Sequence, residues 1–143
     1  MIAMARSDYR WFTPITTRWM DNDVYGHVNN VTYYSWFDTA ANLYLIREGG
    51  LDIHASAVIG LVVESRCNYH APLAYPVEID AALRVDKLGN RAVTYGLAIF
   101  ARGEDAPSAS GHFVHVFVDR ETRKPTPIPD RLREALARIA VGQ

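Results

Sequence analysis

The stretch RWMDNDVYGHVNNVTYYSWFD, residues 18–38, holds two features on which the reading of this chain turns. Its first half is a polar knot, with Asp21, Asn22, Asp23, Gly26, His27, Asn29 and Asn30 close together. Its second half opens a mostly apolar run. Between about 28 and 47 the polar residues Thr32, Ser35, Thr39 and Asn42 recur at spacings of three and four. On a helix they form one narrow stripe along an otherwise apolar cylinder. The pattern predicts a long, mostly buried helix, stopped by the Glu-Gly-Gly at 48–50.

Upstream, Trp11, Thr13, Ile15, Thr17 and Trp19 alternate with their neighbours. This reads as a strand over 9–19, which Pro14 places at a sheet edge or a bulge. Downstream come four extended segments, at 58–70, 74–87, 91–103 and 108–119. The second has Val77, Ile79, Ala81, Leu83 and Val85 facing one way and Glu78, Asp80, Arg84 and Asp86 the other, the mark of a sheet with one face on a core. LGNR at 88–91 and GEDAPS at 103–108 are hairpin signals. PIPDRLREALARIA closes the chain as a short amphipathic helix with Asp130 in its first turn. The order β-α-β-β-β-β-α, with short connections between successive strands, predicts an α+β fold with a mostly antiparallel sheet. A helix this apolar needs the sheet to curl round it, or a partner to cover its free side.

The bounds agree with a single domain spanning 1–143. The chain is 49% hydrophobic and 22% charged, with a net charge of −1. That spread of charge argues against a nucleic-acid footprint or a polybasic membrane anchor. Thirteen of the 15 basic residues are arginine, which suits bidentate contacts to phosphate or carboxylate. Cys67 is the sole cysteine, so no internal disulfide forms and a reducing compartment is expected. The opening MIAMARSDYR has too short an apolar stretch for a signal peptide, and no run reaches the ~18 residues of a membrane helix. The expected location is the cytoplasm.

Three readings compete for the knot. DNDVYG resembles the start of a calcium loop, but Tyr25 and Thr32 stand where oxygen ligands are needed, and no helix precedes it. Asp, Asn and Gly also make turns and caps, so Asn29 or Asn30 could simply start the helix. The third reading is catalytic. A buried helix N-terminus offers unpaired N–H groups and partial positive charge for a developing oxyanion, and a carboxylate just ahead can act as nucleophile or base.

RWMDNDVYGHVNNVTYYSWFDTA resembles the first motif of the 4-hydroxybenzoyl-CoA thioesterase-like acyl-CoA thioesterases, and FVDRETRKPTPIPDRLREAL resembles their closing strand and tail. The resemblance spans nearly the whole chain. It implies a hotdog fold, a long central helix wrapped by a curved antiparallel sheet, and hydrolysis of an acyl-CoA without a cofactor. The catalytic carboxylate lands on Asp23 and the backbone oxyanion donor near Asn30, within 28–31. Gly26, His27, Val28 and Asn29 then fall against substrate. The family forms homodimers whose sheets join edge to edge, with active sites at the interface; a dimer of dimers is compatible. The other hotdog branch, the hydratases and dehydratases, uses a catalytic histidine in a different loop pattern that is not found here. A non-catalytic acyl-CoA or acyl-carrier-protein binder is the alternative reading, and a hotdog hydratase a third.

Glu64 sits mid-strand in an apolar stretch and is a further substrate-site candidate, within the protomer or across the dimer interface. Tyr33, Tyr34, Trp36, Tyr69 and Tyr75 could line an aromatic or an aliphatic acyl pocket. Cys67 reads as a core thiol. His112 and His115, three apart on a strand, point to opposite faces and cannot share a metal, so no metal site is expected.

Overall fold

The structure, a computed structural model, describes residues 4–142; the first three residues of the MIAMARSDYR segment lie outside them. The elements are β1 (Trp11–Thr16), α1 (Asn30–Arg47), β2 (Val58–Tyr69), β3 (Glu78–Leu88), β4 (Ala92–Ala101), β5 (Ala109–Asp119) and α2 (Asp130–Arg138). The strands form one antiparallel sheet in the order β1-β3-β4-β5-β2, with α1 against one face. This is the α+β arrangement expected from the pattern and the hotdog fold implied by the resemblance.

The α1 core positions are Tyr33, Trp36, Phe37, Ala40, Ala41, Tyr44 and Leu45, all buried. Phe37 meets Phe113 of β5 edge-on at 5.9 Å, and Tyr44 meets Trp11 of β1 at 5.2 Å. Ser35 and Thr39 of the polar stripe are exposed, as is neighbouring Asp38, so α1 has a polar side to present to water. Gly50, at φ +69, turns the chain out of the helix. α2 packs beside it, where the Tyr44 hydroxyl donates to the Ala135 carbonyl. Past α2 the chain bonds Val85 in both directions, to Ile139 and from Val141, and so covers β3 beyond the reach of β1.

β1 is shorter than the alternation suggests. Thr13 and Thr17 are buried, but Trp19 is 78% exposed. Asp21 accepts from the Arg18 N–H and folds Trp19–Asp21 into a 3-10 turn, which ends the strand direction before Trp19.

β2 is the opposite edge. It pairs with β5 alone, and among the described residues its other edge carries no strand. A bulge falls between Val62 and Glu64. Val62 is opposite His115, which is buried on the helix side, whereas Glu64 is opposite Val114 on the outer side. One inserted residue thus separates two side chains that a plain period of two would put on one face.

Candidate functional site

The polar knot folds into a closed loop. Asn22 bridges Val28, the Asp23 N–H donates to the His27 carbonyl (2.9 Å), and the Gly26 N–H donates to the Asp23 carbonyl (3.1 Å). Gly26 has φ +85, and a Cβ there would meet nothing within 4 Å, so the backbone angle selects glycine.

The two acids of the loop differ. Asp21 is 2% exposed and accepts from the Arg18 N–H (2.7 Å) and guanidinium (3.1 and 2.9 Å), while its carbonyl takes the Asn29 N–H (2.8 Å). It ties strand end, loop and helix cap together. The Asp23 carboxylate commits one oxygen to the Tyr25 N–H (2.8 Å). Its other oxygen lies 3.8 Å from His27 Nδ1, longer than a hydrogen bond, and remains open to a reactant.

The start of α1 supplies the complementary group. Asn29 is the N-cap, its side chain accepting from the Val31 N–H (3.2 Å) and its carbonyl from the Thr32 N–H (2.9 Å). The Val28 N–H donates to Leu73 (2.7 Å). Of the amides at 28–31, only the Asn30 N–H has no partner among the described residues. Its carbonyl, by contrast, accepts from the Tyr69 hydroxyl (3.0 Å).

Asp23, Tyr25 and Asn30 line two neighbouring cavities. One, of about 480 Å³, is walled by His27, Val28, Tyr33, Tyr69, His70, Ala71 and Pro72; the other, of about 760 Å³, by Trp19, Asn22, Val24, Gly26 and Asn29. Burial pushes the Tyr33 hydroxyl up to about 12, so it stays protonated at neutral pH. A thioester has two arms, and Asp23 and Asn30 border both spaces. The arrangement can hold a carbonyl oxygen on an amide while a carboxylate or its water approaches the carbon.

The loop therefore gathers Asp23, Gly26, His27, Val28, Asn29 and Asn30. It does not gather Glu64, which lies on the outer side of β2 with Oε2 3.4 Å from His112 Nε2. His115 is on the other face, buried against the Tyr95 hydroxyl at 3.0 Å, and among the described residues no cluster of His, Cys, Asp and Glu could hold a metal. His70 enters the cavity wall unannounced, with Nε2 2.8 Å from Ser110 Oγ. Its signal lies in the sheet order, which brings the end of β2 to the helix start forty residues away in sequence (70 against 30). Among the described residues no helix is long and apolar enough to cross a membrane.

Comparison with known proteins fits this geometry. A model of the thioesterase-like superfamily matches residues 17–136. The structure superposes on that of the PA5185 protein of Pseudomonas aeruginosa with a TM-score of 0.96, at 55% identity over 97% of each chain. It superposes on Slr0204, a 1,4-dihydroxy-2-naphthoyl-CoA thioesterase from Synechocystis, with a TM-score of 0.79, at 16% identity over 88% of this chain and 94% of that one. The uncharacterized protein YsmA of Bacillus subtilis is 23% identical over 92% of this chain and 88% of its own.

Proposed function

We propose that this chain, which belongs to the thioesterase-like superfamily, hydrolyses an acyl-CoA thioester to a free acid and CoA. One observation carries the reading: Asp23, with one carboxylate oxygen uncommitted, and Asn30, with an unpartnered N–H among the described residues, line one cavity at the start of α1. The Asn30 amide holds the thioester oxygen as it gains charge. Asp23 either takes a proton from the attacking water, or attacks the carbonyl carbon to give a mixed anhydride that water then cleaves to the free acid; in both, CoA departs as a thiolate. No Lys or Arg occurs between Trp19 and Ile46, so the local positive field comes from the amide and the helix start. Gly26, His27, Val28 and Asn29 shape the substrate's path past this pair. No cofactor takes part.

The working unit is a homodimer joined at β2, whose bare edge exposes Val62, Val63 and Tyr69. Glu64 stands on that strand, so a contact it makes with substrate is made across the interface. A dimer of dimers fits the same scheme, and the lone Cys67, with no cysteine to pair with in this sequence, supports a cytoplasmic location.

Thiol release from a panel of acyl-CoAs tests the proposal. The parent should turn over at least one member, and Asp23→Asn should lose on the order of 10²–10⁴ in rate, the worth of a positioned base. Tight binding of acyl-CoA with no thiol released by the parent would instead make this a binding protein.

A further inference from the structure

We infer that Tyr69 is a positioning residue, fastening the carbonyl-holding turn of α1 to the end of strand β2; this rests on the reading of Asn30 given above. The Tyr69 hydroxyl donates to the Asn30 carbonyl at 3.0 Å. As the first residue of α1, Asn30 is also placed to offer that carbonyl to the i→i−4 bond of the helix ladder, from the Tyr34 amide. A carbonyl oxygen has two lone pairs, so both bonds fit. The Tyr69 ring is aimed by the helix itself. It stands edge-on to Tyr33 at 5.2 Å, and buried Tyr33 stands edge-on to Trp36 at 5.2 Å.

On the other side of Asn30, the Asn29 N–H is held by the Asp21 carbonyl at 2.8 Å. The two peptides flanking the one that carries the Asn30 N–H are thus held, one from the loop before it and one from a strand 39 residues later (69 against 30), while the Asn30 N–H itself is left open. An oxyanion donor works by standing still where charge develops, so small displacements are costly in rate. Tyr69 also ends the bare edge strand, its last register pair being with Ala109. Pairing at β2 and the placement of the donor therefore share one side chain.

The experiment compares the parent, Tyr69→Phe, Tyr69→Leu and Asp23→Asn in thiol release. Phenylalanine keeps the ring and removes the bond. The expected result is a kcat about five- to tenfold lower with KM within about twofold, the effect of one neutral hydrogen bond. A ring that only walls the cavity predicts no change with phenylalanine and a raised KM with leucine, and that pattern overturns the proposal. In parallel, ¹³C and amide-exchange NMR should show Tyr69→Phe shifting the Asn30 carbonyl resonance and speeding exchange at the Tyr34 amide, with the rest of α1 unaltered. If Asp23→Asn releases thiol like the parent, the functional reading has failed by itself. The NMR arm then decides alone, and an unmoved Asn30 carbonyl and Tyr34 amide would show that Tyr69 fastens nothing.

Discussion

Substituting proline for Asn30 separates the helix from the chemistry. Asn30 is the first residue of α1, where proline's fixed φ suits the helix and its missing N–H deprives no intrahelical bond. The residue before a proline must be extended, and Asn29 already sits at φ −61, ψ 137. The Asn30 N–H has no partner to lose among the described residues. Asn30→Pro should therefore leave the unfolding free energy within about 1 kcal/mol of the parent, and helix content intact. Turnover should behave otherwise. Removing one oxyanion donor costs ~2.7–4 kcal/mol, or about 10²–10³ in kcat. The proline Cδ also stands where the amide hydrogen was, so binding of substrate falls as well. Asn30→Ala keeps the N–H and should stay within a few-fold of the parent. Circular-dichroism melts and thiol release on the three proteins suffice. A proline variant that turns over within tenfold of the alanine variant would refute the backbone donor, and one that loses the helix would refute the account of the first turn.

Other outcomes follow from the same contacts. Asp21→Asn should destabilise by about 1–2 kcal/mol in urea unfolding, since it weakens charge-assisted bonds to Arg18, yet hold kcat within a few-fold; a loss as deep as that of Asp23→Asn would exchange the roles of the two acids. Burial lowers His115 from 6.5 to about 4, so its contribution is full above pH 6.5 and is lost as the pH falls toward 4. Linkage then gives about 2 kcal/mol less stability at pH 5 than at pH 7, and His115→Asn should flatten that slope; equal slopes for parent and variant would refute it. In sedimentation at low micromolar concentration the parent should exceed the 16.1 kDa chain mass, and Val63→Lys on the bare edge should shift it toward monomer. A parent sedimenting only at the chain mass would sink the dimer.

Much of this fold is written in periodicities. The stripe Thr32, Ser35, Thr39 and Asn42 marks α1, and the alternation Ile79, Ala81, Leu83 and Val85 marks β3, because one buried face forces one period on the sequence. Strand ends were less legible. Trp19 keeps the alternation of β1 but belongs to a turn, because the carboxylate of Asp21 captures the Arg18 amide, and such a contact leaves no periodic trace. The bulge beside Glu64 is likewise silent in a count of twos. The site divides along the same line. Its loop half, from Asp23 to Asn30, is contiguous and shows as a concentration of polar residues beside an apolar run. Its wall of Tyr69 and His70 is brought in by strand order, and a single chain's pattern does not encode which strands are neighbours.

That strand order also sets a timetable for synthesis. Among the described residues β2 finds its only neighbour in β5, and Ala109 lies forty positions beyond Tyr69. At ~5–20 residues per second a ribosome needs about 2–8 s to bridge that gap. In the second half of that interval, once β3 is complete at Leu88, β1 and β3 can already pair, whereas Val58–Tyr69, with Val62 and Val63, still waits for β5. The strand that ends at the candidate site thus emerges well before its neighbour, and its apolar edge is open meanwhile to chaperones and to other unfinished copies.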